Sequence, residues 1–195
     1  CICHIEQSFT LEIIDLFTET GFDYRHTDPA NNMWTNPGEI PDNGVDDDGN
    51  GYVDDVYGYD FAGAVNTDPN DGDSDPDDFF FHGTLSAGLV GAVGNNNVGV
   101  SGVNWNVKLM ALKVFADDFF TDAVVFASDA AAAVEYAVDN GATIINASWG
   151  GDYFSQTLYD TIQEAGNKGV LFVAAVGNDF GKNIDEEPVY PASFD

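Results

Sequence analysis

Short apolar runs alternate with longer amphipathic segments in the second half of the chain. Positions 107–115, 142–147 and 170–176 are apolar almost throughout, which predicts three buried strands. The segments between them, 128–140 and 155–168, carry apolar residues at helical spacing and are each followed by glycine, which predicts two helices. Helices that connect strands over short loops produce a parallel sheet. The pattern therefore predicts an α/β fold.

The first half of the chain has a weaker pattern. An apolar segment at 11–17 predicts a further strand. Small residues follow His82 as far as Ala92, and they predict a helix that begins at this histidine.

In the second half, Ser128 is the predicted N-cap of the alanine-rich helix, because its hydroxyl can accept a hydrogen bond from a free backbone N–H of the first turn.

Composition narrows the classes of protein. The 195 residues include 34 acidic and 5 basic side chains, a formal charge of −29, which argues against nucleic acid or an acidic membrane surface as a partner. With 44% hydrophobic residues the chain should fold, as one domain over 1–195. No apolar run approaches the roughly 20 residues of a membrane span, so a soluble protein is expected. Cys1 and Cys3 are too few and too close for a disulfide scaffold.

Acidic residues are concentrated between positions 39 and 78, which hold 14 of the 34. Such a cluster is either a solvated acidic surface or a set of calcium sites. One stretch favours calcium, since its oxygen-bearing positions reproduce the first nine positions of an EF-hand loop. The predicted ligands are the side chains of Asp46, Asp48, Asn50 and Asp54 and the backbone carbonyl of Tyr52.

The EF-hand pattern is incomplete. Tyr57 stands where the twelfth position of the loop would supply a bidentate acid, so the sequence predicts a calcium loop without the flanking pair of helices. A second acidic run at 68–75 has a less specific spacing of oxygen ligands, and both interpretations stay open for it.

Candidate chemistry follows the predicted strands, because sites in open parallel sheets lie beyond the carboxyl ends of the strands. The loops at 18–21, 148–151 and 177–179 occupy such positions, and His82 opens a helix from a polar loop. Together they offer an acid, a histidine, a glycine-rich edge and an asparagine amide, which are parts of an acyl-transfer site. None of these loops supplies an evident nucleophile.

The order of several motifs resembles the N-terminal two thirds of the catalytic domain of subtilisin-like serine proteases, from about Glu19 to the end. The resemblance implies a three-layer sandwich around a central, mostly parallel sheet, incomplete at the C-terminus, and a polypeptide substrate. Because the likeness is to secreted bacterial forms with acidic calcium loops, it also implies Ca²⁺ binding and secretion. The motifs are Asn36-Pro37-Gly38-Glu39-Ile40, the stretch 46–55, His82-Gly83-Thr84, the stretches 91–96 and 99–105, Asn146-Ala147-Ser148-Trp149-Gly150-Gly151, and the stretch 174–179.

The resemblance also implies roles for individual residues. His82 takes the place of the catalytic base, and Glu19 takes the place of the aspartate that orients it. Asn178 matches the asparagine that stabilises the oxyanion. The substrate-binding positions are the edge strand Ser148, Trp149 and Gly150 and the pocket residues Ala175, Val176 and Gly177.

Three departures from the family pattern affect the chemistry. Glu19 adds a methylene to the expected aspartate, which could shift its carboxylate relative to His82. Residues 79–81 are three phenylalanines where the family is rich in glycine. No Gly-x-Ser-x-Ala sequence is present, so the nucleophilic serine is expected in a segment beyond residue 195. The alternative is a non-catalytic, calcium-binding module with a structural or interaction role.

Overall fold

Five parallel strands form one sheet in the computed structural model, which describes residues 14–62, 72–116, 125–179 and 181–194, with backbone only for 14–18. The sheet order is β2-β3-β1-β4-β5. Each strand of the sheet runs parallel to its neighbours, which confirms the predicted α/β class. The strands are β1 Ile14–Glu19, β2 Gly58–Asp60, β3 Lys108–Lys113, β4 Ile144–Ala147 and β5 Leu171–Ala174.

Three α-helices accompany the sheet in the described residues: α1 His82–Gly91, α2 Ala127–Asp139 and α3 Gln156–Asn167. The hydroxyl of Ser155 caps α3 by accepting the N–H of Leu158 at 3.3 Å. The predicted cap of α2 is wrong. The backbone carbonyl of Phe126 already accepts the N–H of Asp129, so the helix begins one residue earlier and Ser128 lies inside its first turn.

The side chains of β3 separate two layers of helix. Leu109 and Ala111 pack with Ala87 of α1, whereas Met110 and Leu112 pack in the cluster that contains Val134 of α2. Because successive side chains of a strand point to opposite faces, α1 covers one face of the sheet and α2 the other. Helix α3 packs against α2 and β5 on the second face. This arrangement is the predicted three-layer sandwich.

The α1 side of the sheet is only partly covered by described residues. Leu85 and Leu89 lie one helical turn apart on α1, and the side chains are each 68% exposed. On β5, the last strand in the sheet order, Leu171 and Val173 are also exposed. Parallel sheets normally have both faces covered, so α1 and β5 present apolar surface that lacks a cover in the described part of the chain.

Some predictions lie outside the described residues. These include any role for Cys1 and Cys3 and the first half of the second acidic run, at 68–71. Within the described ranges, no helix combines the length and hydrophobicity needed to span a bilayer.

Candidate active site

The predicted site loops meet at one edge of the sheet. The register pairs Thr18 of β1 with Ala147 of β4, and Ala147 with Ala174 of β5. Because the strands are parallel, the residues that follow these positions emerge at the same edge. Glu19, the edge segment 148–150 and the loop 175–178 therefore lie on the carboxyl side of the sheet, where sites of open α/β proteins are found.

Glu19 and His82 form a direct pair at this edge. Glu19 ends β1 and is 1% exposed, whereas His82 opens α1 with a side chain that is 56% exposed. The His82 Nδ1 lies 2.7 Å from the Glu19 Oε2. A histidine that donates its Nδ1–H to a carboxylate keeps its free lone pair on Nε2, the atom that a general base uses. The extra methylene of Glu19 does not prevent this contact.

Glycine at position 83 permits this close approach. A Cβ on Gly83 would lie 2.0 Å from the carbonyl oxygen of Gly21 and 2.9 Å from the Cβ of Glu19. Backbone oxygen cannot move aside as the end of a flexible side chain can, so any larger residue would push the start of α1 away from β1. The His-Gly sequence thus has a steric reason in this structure.

The second oxygen of the Glu19 carboxylate is in an unusual position. Oε1 is buried, and no described residue donates a hydrogen bond to it. A buried carboxylate oxygen without a donor costs free energy. The longer side chain therefore keeps the contact with His82 and leaves its other oxygen without a partner among the described residues.

A group of hydrogen bonds that was not predicted from the sequence lies beside this pair. The buried Asp78 carboxylate accepts hydrogen bonds from the hydroxyls of Thr20 and Thr84, at 2.8 and 2.7 Å. The Thr20 hydroxyl in turn accepts the N–H of Gly83 at 3.1 Å. Thr20 lies in the candidate loop 18–21 and Thr84 in the motif His82-Gly83-Thr84. Nothing in the sequence joins either threonine to Asp78.

Two of the six predicted substrate-binding residues border an apolar cavity, and the other four do not line it. Trp149 and Gly150 line a cavity of about 400 Å³ together with Phe115, Leu158 and Tyr190. Among the other predicted positions, the hydroxyl of Ser148 accepts the side-chain amide of Asn146 at 2.8 Å, and the N–H of Ala175 donates to the carbonyl of Ala147 at 2.9 Å. Gly177 has a positive φ of 86°, and Val176 and Asn178 are exposed.

The acidic loop, residues 36–57, brings three carboxylates together. Oxygens of Glu39, Asp46 and Asp48 all lie within 4.8 Å of one another. Asp46 accepts the N–H groups of Gly51 and Gly49, at 2.9 and 2.7 Å. These bonds favour the charged form, so the pKa of Asp46 is lowered, above all by Gly51. Three converging hard oxygen donors are suited to calcium.

The predicted ligands differ in how far they join this group. The carboxylate of Asp54 is not part of the group of converging carboxylates. It accepts the N–H groups of Asn43 and Gly44, at 3.0 and 2.8 Å. The side-chain oxygen of Asn50 accepts the N–H of Tyr52 at 2.7 Å. The ring of Tyr52 packs against other aromatic rings.

Glu39 was missed as a candidate ligand. Its carboxylate accepts the N–H groups of Asp47, Asp48 and Asp54, at 2.9, 3.3 and 3.1 Å, and so holds the loop from one side. Glu39 lies outside the EF-hand spacing, so the motif could not find it. The available signal was its place in the motif at 36–40, directly before the acidic stretch.

Asp55 connects the acidic loop to the core. It is fully buried and accepts hydrogen bonds from the Tyr136 hydroxyl and from the amides of Asn36 and Asn50. Burial, together with the nearby Asp55 carboxylate, raises the pKa of Tyr136, so its hydroxyl stays protonated and donates. The loop is thereby anchored to α2.

Sequence comparisons identify a family that matches most of the chain. The model of the subtilase family matches residues 16–195. Subtilisin-like protease 1 of Plasmodium berghei is 33% identical over 161 residues, which are 82% of this chain and 25% of that protein. The thermophilic serine proteinase of Bacillus sp. strain AK1 is 37% identical over 133 residues, 68% of this chain and 30% of that protein. The chain thus spans less than a third of the length of either relative.

Solved structures give the same assignment of the fold. The psychrophilic subtilisin-like protease Apa1 from Pseudoalteromonas sp. AS-11 is similar with a TM-score of 0.64 and 26% identity, over 94% of this chain and 34% of that one. Sphericase is similar with a TM-score of 0.59 and 25% identity, over 89% of this chain and 51% of that one.

Proposed function

Because this chain belongs to the subtilase family, we propose that it forms the base-bearing part of a secreted, calcium-stabilised serine endopeptidase that cleaves polypeptides. The observation that carries the proposal is the contact of 2.7 Å between His82 Nδ1 and Glu19 Oε2 at the carboxyl edge of the sheet. A buried carboxylate beneath a half-exposed histidine is the arrangement that holds a general base ready for a hydroxyl nucleophile.

In the proposed mechanism the serine lies in a segment beyond residue 195. His82 Nε2 accepts the serine proton while the serine oxygen bonds to the carbonyl carbon of the scissile peptide. Glu19 stabilises the imidazolium that forms, and the amide of Asn178 donates to the oxyanion. When the carbon–nitrogen bond breaks, His82 returns the proton to the leaving amine. Water then releases the acyl group by the reverse sequence of proton transfers.

Two observations support a serine from elsewhere in the same domain. The chain covers 34% of Apa1 and 51% of sphericase, so these structures contain considerably more than the matched part. Leu89 on α1 and Val173 on β5 leave apolar surface without a cover in the described residues. A further helix and further strands on the α1 side would bury this surface next to His82.

Calcium stabilisation rests on the carboxylates of Glu39, Asp46 and Asp48. Their oxygens lie within 4.8 Å of one another, and no described basic side chain forms an ion pair with them. The donor set fits calcium, which prefers hard oxygen ligands and would offset the mutual repulsion of three charges. The ion has a structural role in this proposal and takes no part in proton transfer.

Labelling of the full-length protein with a fluorophosphonate probe tests the proposal. We expect one labelled serine, on a peptide beyond residue 195, and loss of labelling in His82→Ala. His26→Ala is the matched control, because His26 is exposed and its ring accepts the backbone N–H of Asp28, so labelling should be unchanged. Folded, full-length protein that takes up no label would favour the alternative of a non-catalytic, calcium-binding module.

A further inference from the structure

We propose that Asp78 is a positioning residue for the Glu19–His82 pair. The catalytic consequence rests on the proposed protease function, whereas the geometric part concerns only the described residues. Asp78 lies in the segment before α1 and is 6% exposed. Its carboxylate accepts hydrogen bonds from Thr20 and Thr84, and it acts on the pair through these flanking residues.

The carboxylate of Asp78 joins the end of β1 to the start of α1. Oδ1 accepts the hydroxyl of Thr20 at 2.8 Å, and Thr20 directly follows Glu19. Oδ2 accepts both the N–H and the hydroxyl of Thr84, at 2.8 and 2.7 Å, and Thr84 lies two residues after His82. One buried side chain therefore fixes the neighbours of both members of the pair.

The hydrogen bonds around this carboxylate have a fixed direction. The Thr20 hydroxyl has one proton, which it donates to Asp78, so its oxygen is free to accept the N–H of Gly83. The hydroxyl of Thr84 likewise donates to Asp78 and accepts the N–H of Asp23 at 2.9 Å. Since a carboxylate accepts only, it orients both hydroxyls; an amide in its place would not.

Asp78 also replaces the missing cap of α1. The N-cap residue, Phe81, is in the left-handed conformation and makes no capping hydrogen bond through its side chain. The N–H of Thr84 belongs to the first turn of α1, where backbone donors lack partners within the helix. Asp78 accepts this N–H and places a negative charge at the helix N-terminus. Asp78 thus helps to fix the position of His82 at the start of α1.

Asp78→Asn tests the proposal in the full-length protein. Asparagine offers one acceptor oxygen to donors that now share two, so part of the network must break. We expect kcat to fall about 10- to 100-fold with KM changed less than about 3-fold, because displacement by an ångström of a catalytic group costs up to about 10²-fold. Asp77→Asn is the matched control: it removes the charge that pairs with the exposed Arg25 but keeps the Oδ1 that accepts the N–H of Asp78 at 3.1 Å, so it should leave kcat unchanged.

A spectroscopic readout separates positioning from catalysis. In protein labelled with ¹⁵N-histidine, the Nδ1–H of His82 hydrogen-bonded to Glu19 should give a low-field proton signal, assigned by its loss in His82→Gln. We expect Asp78→Asn to shift or broaden this signal and Asp77→Asn to preserve it. An unchanged signal together with unchanged kcat in Asp78→Asn would overturn the proposal. Wild-type protein without peptidase activity would refute the protease function, while the signal would still decide the role of Asp78.

A second pair of variants covers the case in which Asp78→Asn does not fold. Thr20→Val keeps the shape of the side chain and removes only the hydroxyl, whereas Thr20→Ser restores it. The signal and kcat should change in Thr20→Val and recover in Thr20→Ser. Equal behaviour of the two variants would contradict the proposed path from Asp78 through Thr20.

Discussion

In both the acidic loop and the region around His82, one carboxylate accepts several hydrogen bonds, with different results. The acidic loop comprises residues 36–57, and the region around His82, which we call the corner, comprises Glu19, Thr20 and residues 78–84. In the loop, Glu39 accepts N–H groups from positions 8 to 15 residues away. In the corner, Asp78 binds Thr20, 58 residues away in sequence. The carboxylates of the loop are therefore arranged by local contacts, with Asp55 and Tyr136 as the connection to α2, whereas the corner exists only when the sheet and α1 are assembled.

The two regions also balance charge differently. The corner places one buried carboxylate, Glu19, against one imidazole. The loop gathers Glu39, Asp46 and Asp48 without a basic partner among the described residues. In our proposal a cation offsets the repulsion between the loop carboxylates, while packing and hydrogen bonds hold the corner. Changes in the corner should affect turnover, and changes in the loop should affect stability.

Glu19→Gln gives the sharpest contrast between the regions. Glutamine cannot stabilise the imidazolium and favours the wrong tautomer of His82, so kcat should fall by about 10⁴-fold. The temperature of half-unfolding should change little, because Glu19 already has one buried oxygen without a described donor. Kinetics with a peptide substrate and thermal melting measure the two effects. Glu135→Gln, on the exposed side of α2, is the control; equal kcat in both variants would remove Glu19 from the mechanism.

Removal of calcium should have the next largest effect, and on stability. An ion bound only to the folded state at about 100 times its Kd contributes about 2.7 kcal/mol, which corresponds to a change in melting temperature of roughly 5–10 °C for a chain of this size. A chelator should therefore lower the melting temperature of the wild type.

Glu39→Gln tests which residues cause that effect. This variant should have the lower melting temperature without chelator and respond little to it, because one of three converging carboxylates is lost. Glu187→Gln, an exposed acid outside the loop, should respond like the wild type. A wild type that is insensitive to the chelator would leave only a solvated acidic surface.

The sequence predicts the strands and helices of the second half well, because each has a clear period and a clear end. The rule for parallel sheets places Glu19 at the carboxyl edge, and the family resemblance, not the rule, predicts that it meets His82. It does not predict Asp78, because a contact between side chains 58 residues apart leaves no local pattern. Glu39 was missed for a related reason: the EF-hand spacing describes one continuous segment, and Glu39 approaches it from outside.

Tyr136→Phe tests the anchor between the acidic loop and α2. The variant removes only the hydroxyl that donates to the buried Asp55 carboxylate. Loss of a hydrogen bond to a charged group should lower the free energy of unfolding by about 1.5–3 kcal/mol. Urea denaturation measures the change. Tyr159→Phe is the control, because Tyr159 lies on α3, far along the chain from the loop. A loss equal to that of the control would show that the loop does not depend on this anchor.

The smallest expected effect concerns backbone conformation. Both regions use positive φ angles, but the loop places Asp42 and Asp54 there, whereas the corner places Phe81 at φ 63°. Aspartate tolerates the left-handed conformation better than a bulky side chain does.

Phe81→Gly should therefore raise the free energy of unfolding by about 0.5–1 kcal/mol, the strain relieved less the extra entropy of glycine in the unfolded chain. Phe81 is 68% exposed, so little packing is lost. Asp42→Gly, at the equivalent backbone conformation in the loop, should be close to neutral. Urea denaturation of both variants compares them. If Phe81→Gly were no more stable than Asp42→Gly relative to the wild type, the corner would store no more backbone strain than the loop.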